Sequence, residues 1–525
     1  MSELINILYA NLIVVLLALS FFSFAFTAAL GRRAGGAKIK KAALSFALAI
    51  FIASLGLYAG FDPALHSMQF AKSFSWIPSL NINFSVGVDG LSLFMVLLAT
   101  LLTPVVILSV NENTPDIGYY LSLYFLLEFT MIGTFCAMDI ILFYLFWELM
   151  LVPMYLIIGA WGGKNRIGAA LRFFLFTAFG SVFMLWAILW ITSYFQNING
   201  AACFDIRQLG SIEYNFRSQC VLFWMFSLAF MVKVPLFPFH TWLPHAHVEA
   251  PTGGSVMLAA VLLKMGTYGF LRFSIPMFPD AAAYFASAMT LLGAFGVLYG
   301  SLMSYAQTDL KKLIAYSSIA HLGAVTAGIF SLSAAGISGS IIQMVNHGIS
   351  TGALFLLTGM IYERRHTKEL GEFGGLAAVM PAYSTAFAIV AFSSIGLPGL
   401  NGFIGEFLIL AGVFSKSWLS GALTASGVVI GAVYMLSAYE KIFLGSVAKK
   451  ENSELADMTG AEKAGLAPLI ILIFAIGIYP AFISSRIDAT VKNIAAAPRH
   501  DIRQIRASRV NLNEDPVNAI CQKKN

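Results

Sequence analysis

The chain has 525 residues, of which 58% are hydrophobic and only 11% charged, with a mean hydropathy of +0.80. A soluble protein carries about 25% charged residues. With so little polar surface, this much apolar side chain cannot be hidden from water, which excludes a soluble enzyme, a nucleic-acid-binding protein and a disordered chain. The net charge of +6 is then a property of loops facing the cytoplasm and not a sign of nucleic acid.

Apolar stretches of about 20 residues, the length a bilayer requires, fall near 4–30, 42–60, 90–110, 118–137, 139–159, 167–195, 220–239, 252–273, 281–304, 310–331, 337–361, 382–415, 422–445 and 464–485. The expected fold is therefore an all-α polytopic membrane protein with about fourteen transmembrane helices. The first stretch, from Leu4 to Leu30, is longer than a signal-peptide core, has no basic residue before it and is followed by Arg32 and Arg33, so it reads as a permanent span. Connections after odd-numbered spans hold sixteen Lys and Arg residues against five after even-numbered spans, which places the odd side in the cytoplasm. An even span count puts both ends of the chain outside, against the pull of a basic tail from Arg486 to Lys524. Cys136, Cys203, Cys220 and Cys521 form no CxxC pair and no spacing that would hold zinc or an iron–sulfur cluster, so no cofactor and no metal is expected in the chain itself.

Three basic residues, Arg172, Lys233 and Lys264, remain inside spans. A charge at mid-membrane costs about 2.5–3.5 kcal/mol on insertion scales, so such residues face a protein interior or a hydrated cavity and mark an ion path. The acidic counterparts inside spans are Glu128, Glu148 and Glu406, with His321 and His347 as intramembrane histidines. Glu128 reads either as a proton-entry group or as a partner of Arg172. His240, His245, His247 and Glu249 lie between prolines without helical spacing and read as structural loop residues, not as metal ligands.

Two spans are interrupted, the seventh by Lys233-Val234-Pro235 and Pro238, the twelfth by Gly396-Leu397-Pro398-Gly399 and Asn401-Gly402. Proline removes a ladder hydrogen bond and glycine loosens the backbone, which a bilayer tolerates only against protein or trapped water. Broken helices in matching places point to inverted repeats. The two lie five spans apart, and an odd separation reverses the membrane direction. The expected organisation is residues 1–110 with helices one to three, 111–280 and 281–450 as two inverted five-helix repeats, and 451–525 with the last helix and the basic tail. Lys233 and Glu406 flank the two breaks, while Glu148 in span five matches His321 in span ten.

The segment KVPLFPFHTWLPHAHVEAPTGGSVMLAAVLLKMGTYGFLRF from Lys233 to Phe273 resembles the antiporter-like membrane subunits of the M or chain 4 type in NADH:quinone oxidoreductase, respiratory complex I. The resemblance extends to FWELMLVPMYLIIGAWGG from Phe146, DLKKLIAYSSIAHLG from Asp309, NHGISTGALFLLTG from Asn346 and GLPGLNGFIGEFLIL from Gly396. It covers spans three to thirteen. The sister L and N types carry lysine where this chain has Glu406, and the L type adds a long lateral helix. His245 departs from the acidic residue usual in bacterial members.

The resemblance implies a proton-translocating subunit without redox chemistry of its own, with FMN, iron–sulfur clusters and quinone in partner subunits, and with L and N subunits as membrane neighbours. It implies a proton path through Glu148, Lys233, Lys264, His321, His347 and Glu406, with Glu148 and Lys233 as an ion pair that acts as a switch or as a static salt bridge, Lys264 as the central connection, and Glu406 as the release group. His347 shares a helix face with Gln343, which could hold water or serve interhelical hydrogen bonding. The alternative within the same fold is a subunit of a multisubunit Na⁺/H⁺ antiporter. The expected location is the bacterial plasma membrane, or else the mitochondrial inner membrane.

Overall fold

The computed structural model describes residues 11–31, 33–447 and 449–496. The expected start of the first span at Leu4, Arg32, Cys521 and the basic tail beyond residue 496 lie outside the described residues. Helices α1 (Leu12–Leu30) and α2 (Gly36–Ala59) form a hairpin. At its turn Gly31 approaches Gly118 so closely that a Cβ on Gly31 would lie 2.7 Å from the Gly118 Cα. Only a residue without a side chain allows that contact.

Strands β1 (Gln69–Ile77) and β2 (Ile82–Val88) follow as an antiparallel hairpin, turned by Asn81 in the left-handed region at φ 55°. This departs from the expectation of helices alone. Residues 69–88 alternate polar and apolar side chains with too few apolar residues to span a bilayer, and pair as strands beside the helical body instead.

Helices α3 (Gly90–Ser109), α4 (Ile117–Cys136), α5 (Ile140–Trp161) and α6 (Arg166–Asn199) come next. The seventh crossing is split into α7 (Phe216–Lys233) and α8 (Trp242–Glu249). Beyond it lie α9 (Thr252–Met277), α10 (Pro279–Tyr305), α11 (Leu310–Phe330) and α12 (Ala334–Arg365). The twelfth crossing is split into α13 (Pro381–Ser394) and α14 (Asn401–Phe414), and α15 (Trp418–Phe443) and α16 (Gly460–Ile478) complete the set. Twelve helices among the described residues are long and apolar enough to cross a membrane, and the two split pairs bring the number to the expected fourteen. The last span ends at Ile478, not at residue 485, because Pro480 interrupts it and a separate helix α17 (Ala481–Ala495) begins.

Aspartates start several of these helices. The Asp89 carboxylate accepts from the Leu91 and Ser92 N–H groups, Asp139 from Ile141 and Leu142, and Asp309 from Lys312. Each satisfies donors that a helix N-terminus leaves unpaired. Asp139 and Asp309 stand five spans apart and share a second device. The Ile140 N–H donates to the Phe204 carbonyl and Ile206 to Met138, while Leu310 donates to Lys368 and Leu370 to Thr308. In each unit the start of the second helix is thus clasped, as a short antiparallel bridge, to the segment that leads into the broken helix. The Asp139 carboxyl, just outside α5, is pushed up by its burial against the pull of the N–H groups of Asn83, Leu142 and Ile141.

Helices α9 and α12 are buried along their whole apolar length and form the centre, whereas α1, α2, α15 and α16 are largely open at the periphery. The residues expected to carry charge sit on the central helices and their neighbours.

Candidate functional site

Lys233 is the last residue of α7 and is buried. The break that follows frees backbone groups, and they find partners locally: Trp242 Nε1 donates to the Val232 carbonyl at 2.9 Å, and the Leu236 N–H to Met231 at 2.9 Å. The ammonium lies 5.2 Å from the Trp147 ring centroid and 5.8 Å from that of Phe173. Aromatic faces attract a cation by their quadrupole, most strongly where water is excluded. Lys233 Nζ has no hydrogen-bond partner, and Glu148 Oε1 has none either. The two residues therefore stand apart in this structure, without the ion pair expected from sequence. Glu148 directly follows Trp147 in α5, so the ring beneath the ammonium and the carboxylate that could receive it belong to consecutive residues.

Lys264 lies in α9 between two π-helical turns, Leu258–Leu262 and Phe270–Ser274. Such turns widen a helix and recur at functional sites. Lys264 Nζ donates to the Ala259 carbonyl at 2.6 Å and is 2.6 Å from His347 Nδ1 on α12. The His347 and His321 rings meet edge to face with centroids 5.4 Å apart. His321 Nδ1 lies 3.3 Å from Glu406 Oε1, while the Ser394 hydroxyl lies 3.3 Å from His321 Nε2. Four titratable residues from α9, α12, α11 and α14 thus form one contiguous series.

The second break holds the far end of that series. Gly396 has φ 74°, and a Cβ there would lie 2.5 Å from Glu406 Oε2, so the backbone of the break approaches the carboxylate directly. Gln343 Nε2 donates to Glu406 Oε1 at 3.4 Å. Asn346 Nδ2 donates to the Asn401 carbonyl at 2.6 Å, and the Ser393 hydroxyl to Asn401 Oδ1. These amides and hydroxyls reconnect α13 and α14 to α12, as a non-helical segment at membrane depth requires.

Several residues escaped the sequence reading. His247 is wholly buried in α8, stacked on Phe355 with centroids 4.5 Å apart, and neither ring nitrogen has a hydrogen-bond partner. The prolines suggested a loop there. Pro244 instead occupies the first turn of α8, where its missing N–H costs nothing. His240 pairs with the Tyr299 hydroxyl at 3.0 Å and His245 is exposed, so the three histidines do not converge. Arg272, counted from sequence with the loops, lies within α9 and pairs with Asp89 at 2.7 Å, with its Nε donating to the Tyr268 hydroxyl at 3.1 Å. Lys264, Tyr268 and Arg272 recur every four residues on that helix, which is the signal that could have found them. Glu128 accepts from the Ser20 hydroxyl at 3.2 Å, and Arg172 is exposed on α6, so Arg172 is not its partner.

A split-helix membrane bundle with a buried series of basic groups ending on a carboxylate is the architecture of antiporter-like subunits, and the comparisons agree. The family model for NADH:quinone oxidoreductase/Mrp antiporter transmembrane subunits matches residues 137–431, more than half of the chain, which belongs to that family. Within it, the chain is 43% identical over 500 residues to NADH-quinone oxidoreductase subunit M of Rhodobacter capsulatus, covering 92% of this chain and 96% of that one. It is 44% identical over 447 residues to subunit M of Rickettsia bellii, with 85% and 89% covered, and 43% identical over 458 residues to NADH-ubiquinone oxidoreductase chain 4 of Arabidopsis thaliana, with 87% and 91% covered. Among solved structures it superposes on a chain of respiratory complex I from Thermus thermophilus with a TM-score of 0.84 at 30% identity, over 92% of this chain and 99% of that one. A chain of the Mrp complex from Dietzia shares the fold, with a TM-score of 0.78 at 22% identity over 91% of this chain and 52% of that one.

Proposed function

We propose that this chain is the M-type, proton-translocating membrane subunit of an NADH:quinone oxidoreductase. Quinone reduction takes place in partner subunits, which carry the FMN, iron–sulfur clusters and quinone, and L-type and N-type subunits flank this one in a bacterial plasma membrane. The observation that carries the reading is the buried series Lys264, His347, His321 and Glu406, linked by contacts of 2.6 Å, ring to ring, and 3.3 Å.

Lys264 and His347 compete for a proton across a short hydrogen bond. His321 presents Nδ1 to Glu406 and Nε2 to the Ser394 hydroxyl, and meets His347 ring to ring, so a turn of the His347 ring, whose Nε2 has no partner, carries the proton across. Glu406, beside the second break and in contact with His321 and the Gln343 amide, is the release group. Glu148 and Lys233 form the gate: the ammonium rests on the faces of Trp147 and Phe173 in one position and pairs with the Glu148 carboxylate in the other. The chain divides for this purpose into residues 1–110, two inverted units at 111–280 and 281–450, and 451–525, a division supported by the matching clasps at Asp139 and Asp309.

The test is purification through a tag on this chain. Flavin and iron–sulfur subunits co-migrate with it, and the reconstituted assembly acidifies vesicles on addition of NADH. Recovery of a flavin-free assembly that exchanges Na⁺ for protons overturns the reading.

A further inference from the structure

On the outer rim of the bundle, α2, α3, α12 and α16 enclose a groove of about 310 Å³ that has no part in the proton series. Its walls include Phe51, Leu55, Leu98 and Ile349, with Tyr58 and Ile483 near one end. The Tyr58 hydroxyl, the one polar side-chain group in the lining, is already spent on the Phe482 carbonyl at 3.3 Å. From Tyr58 to Phe51 the groove follows seven residues of helix, a depth of about 10 Å. A narrow, apolar slot of that depth opening sideways from a transmembrane bundle suits a hydrocarbon chain.

What stands at the end of the slot is a cation. Arg486 on α17 lays its guanidinium 3.8 Å over the Tyr58 ring, and its Nη1 donates to the Phe482 carbonyl at 3.3 Å. Its Nε is buried and has no hydrogen-bond partner. No carboxylate among the described residues pairs with it, and the nearest acid along the helix, Asp488, is held by Lys492 at 2.6 Å. An arginine whose aromatic support fixes it in place, with no carboxylate partner among the described residues, is arranged to offer its terminal N–H groups to a phosphate, which guanidinium binds by charge-assisted hydrogen bonds. Pro480 ends the last span six residues earlier, which puts Arg486 at the level where a span gives way to the membrane interface.

We propose that this groove is a binding site for an anionic phospholipid, with one acyl chain between α2 and α16 and the phosphate on Arg486. A free phosphate has no use for the slot, and a zwitterionic lipid fills the slot while bringing its own cation to Arg486. The floor residue Ile349 lies two residues beyond His347 on α12, so the bound chain packs against the wall of the proton series without contacting it. The site stands on its own geometry and does not depend on the proton-pumping reading.

Two measurements on the intact purified assembly test it. A photo-reactive amino acid in place of Leu55, which lines the open side of the groove, is expected to form an adduct of phospholipid mass, and an adduct with a neighbouring polypeptide would mean that a protein helix fills the slot and overturns the proposal. In delipidated assembly titrated with vesicles of phosphatidylglycerol or of phosphatidylcholine, Arg486→Gln is expected to weaken retention of phosphatidylglycerol about tenfold, as loss of a charge-assisted contact implies. Arg486→Lys should restore part of it, and phosphatidylcholine binding should stay unchanged. Equal retention of phosphatidylglycerol by wild type and Arg486→Gln, or equal retention of both lipids by the wild type, overturns the anionic assignment.

Discussion

The two halves of the titratable series are built differently. Lys264, His347, His321 and Glu406 touch one another in sequence, whereas Lys233 rests on Trp147 and Phe173 with Nζ unpartnered and Glu148 holds a free oxygen nearby. In the proposed path the first arrangement needs a side-chain adjustment only at the His347–His321 ring contact, where His347 Nε2 has no hydrogen-bond partner. The second would pass nothing until a side chain moves or water enters. A pump needs both kinds of element, since a path connected along its whole length would leak and one broken throughout would not conduct.

The comparison can be broken most sharply at Lys264. Lys264→Ala removes the junction between α9 and α12, and NADH-driven acidification of vesicles is expected to fall by about a hundredfold, within the range for losing a positioned proton-transfer group. Assembly on a native gel should be unchanged, and near-normal pumping would show that the contact with His347 is structural. Glu406→Gln keeps an oxygen for Gln343 but cannot carry the proton. A loss of about tenfold is expected, with Glu406→Asp recovering part of it. Infrared difference spectra during turnover should lose a carboxyl band in Glu406→Gln, and an unaltered spectrum would remove the residue from the path.

At the Lys233–Glu148 break the informative measurement is a cycle. If Glu148 and Lys233 act as a pair during turnover, Glu148→Gln combined with Lys233→Ala should pump about as poorly as either alone. Additive losses would mean two independent roles. The smallest effect is expected from Trp147→Leu, which removes a cation–aromatic contact worth about 1–2 kcal/mol. It should shift the balance of Lys233 toward Glu148 and change the pumping rate several-fold at constant assembly. Indifference to this substitution would reduce the aromatic cradle to packing.

How far all this was legible in the sequence follows from what each signal measures. Span number and helix breaks could be read because proline, glycine and uninterrupted apolar length act locally. Lys233, Lys264, His321, His347 and Glu406 stood out because a titratable group in an apolar run is costly wherever it points. Partners were not legible in the same way. That Lys264 meets His347 while Lys233 meets two rings depends on helix rotation, which the almost uniformly apolar faces of α5 and α7 do not encode. His247 was hidden because Pro244 looks alike in a loop and in a first helical turn, and Arg272 because π turns carry α9 further than a loop count allowed. The strand hairpin at 69–88 was read only as a connection, since its alternation was outweighed by the strong signals on either side.

The clasps at Asp139 and Asp309 act as two matching mounts. Each fixes the approach to a broken helix against the start of a titratable helix, so both breaks are referenced to the same point of their unit. In the first unit the arm leading into the break, α7, ends on Lys233, and the arm after it, α8, carries His247. In the second the leading arm, α13, carries Ser394, and the arm after it, α14, carries Glu406. The same mount therefore presents a cation before the break in one unit and a carboxylate after it in the other, so that two copies of one mechanical design carry opposite charges on opposite arms.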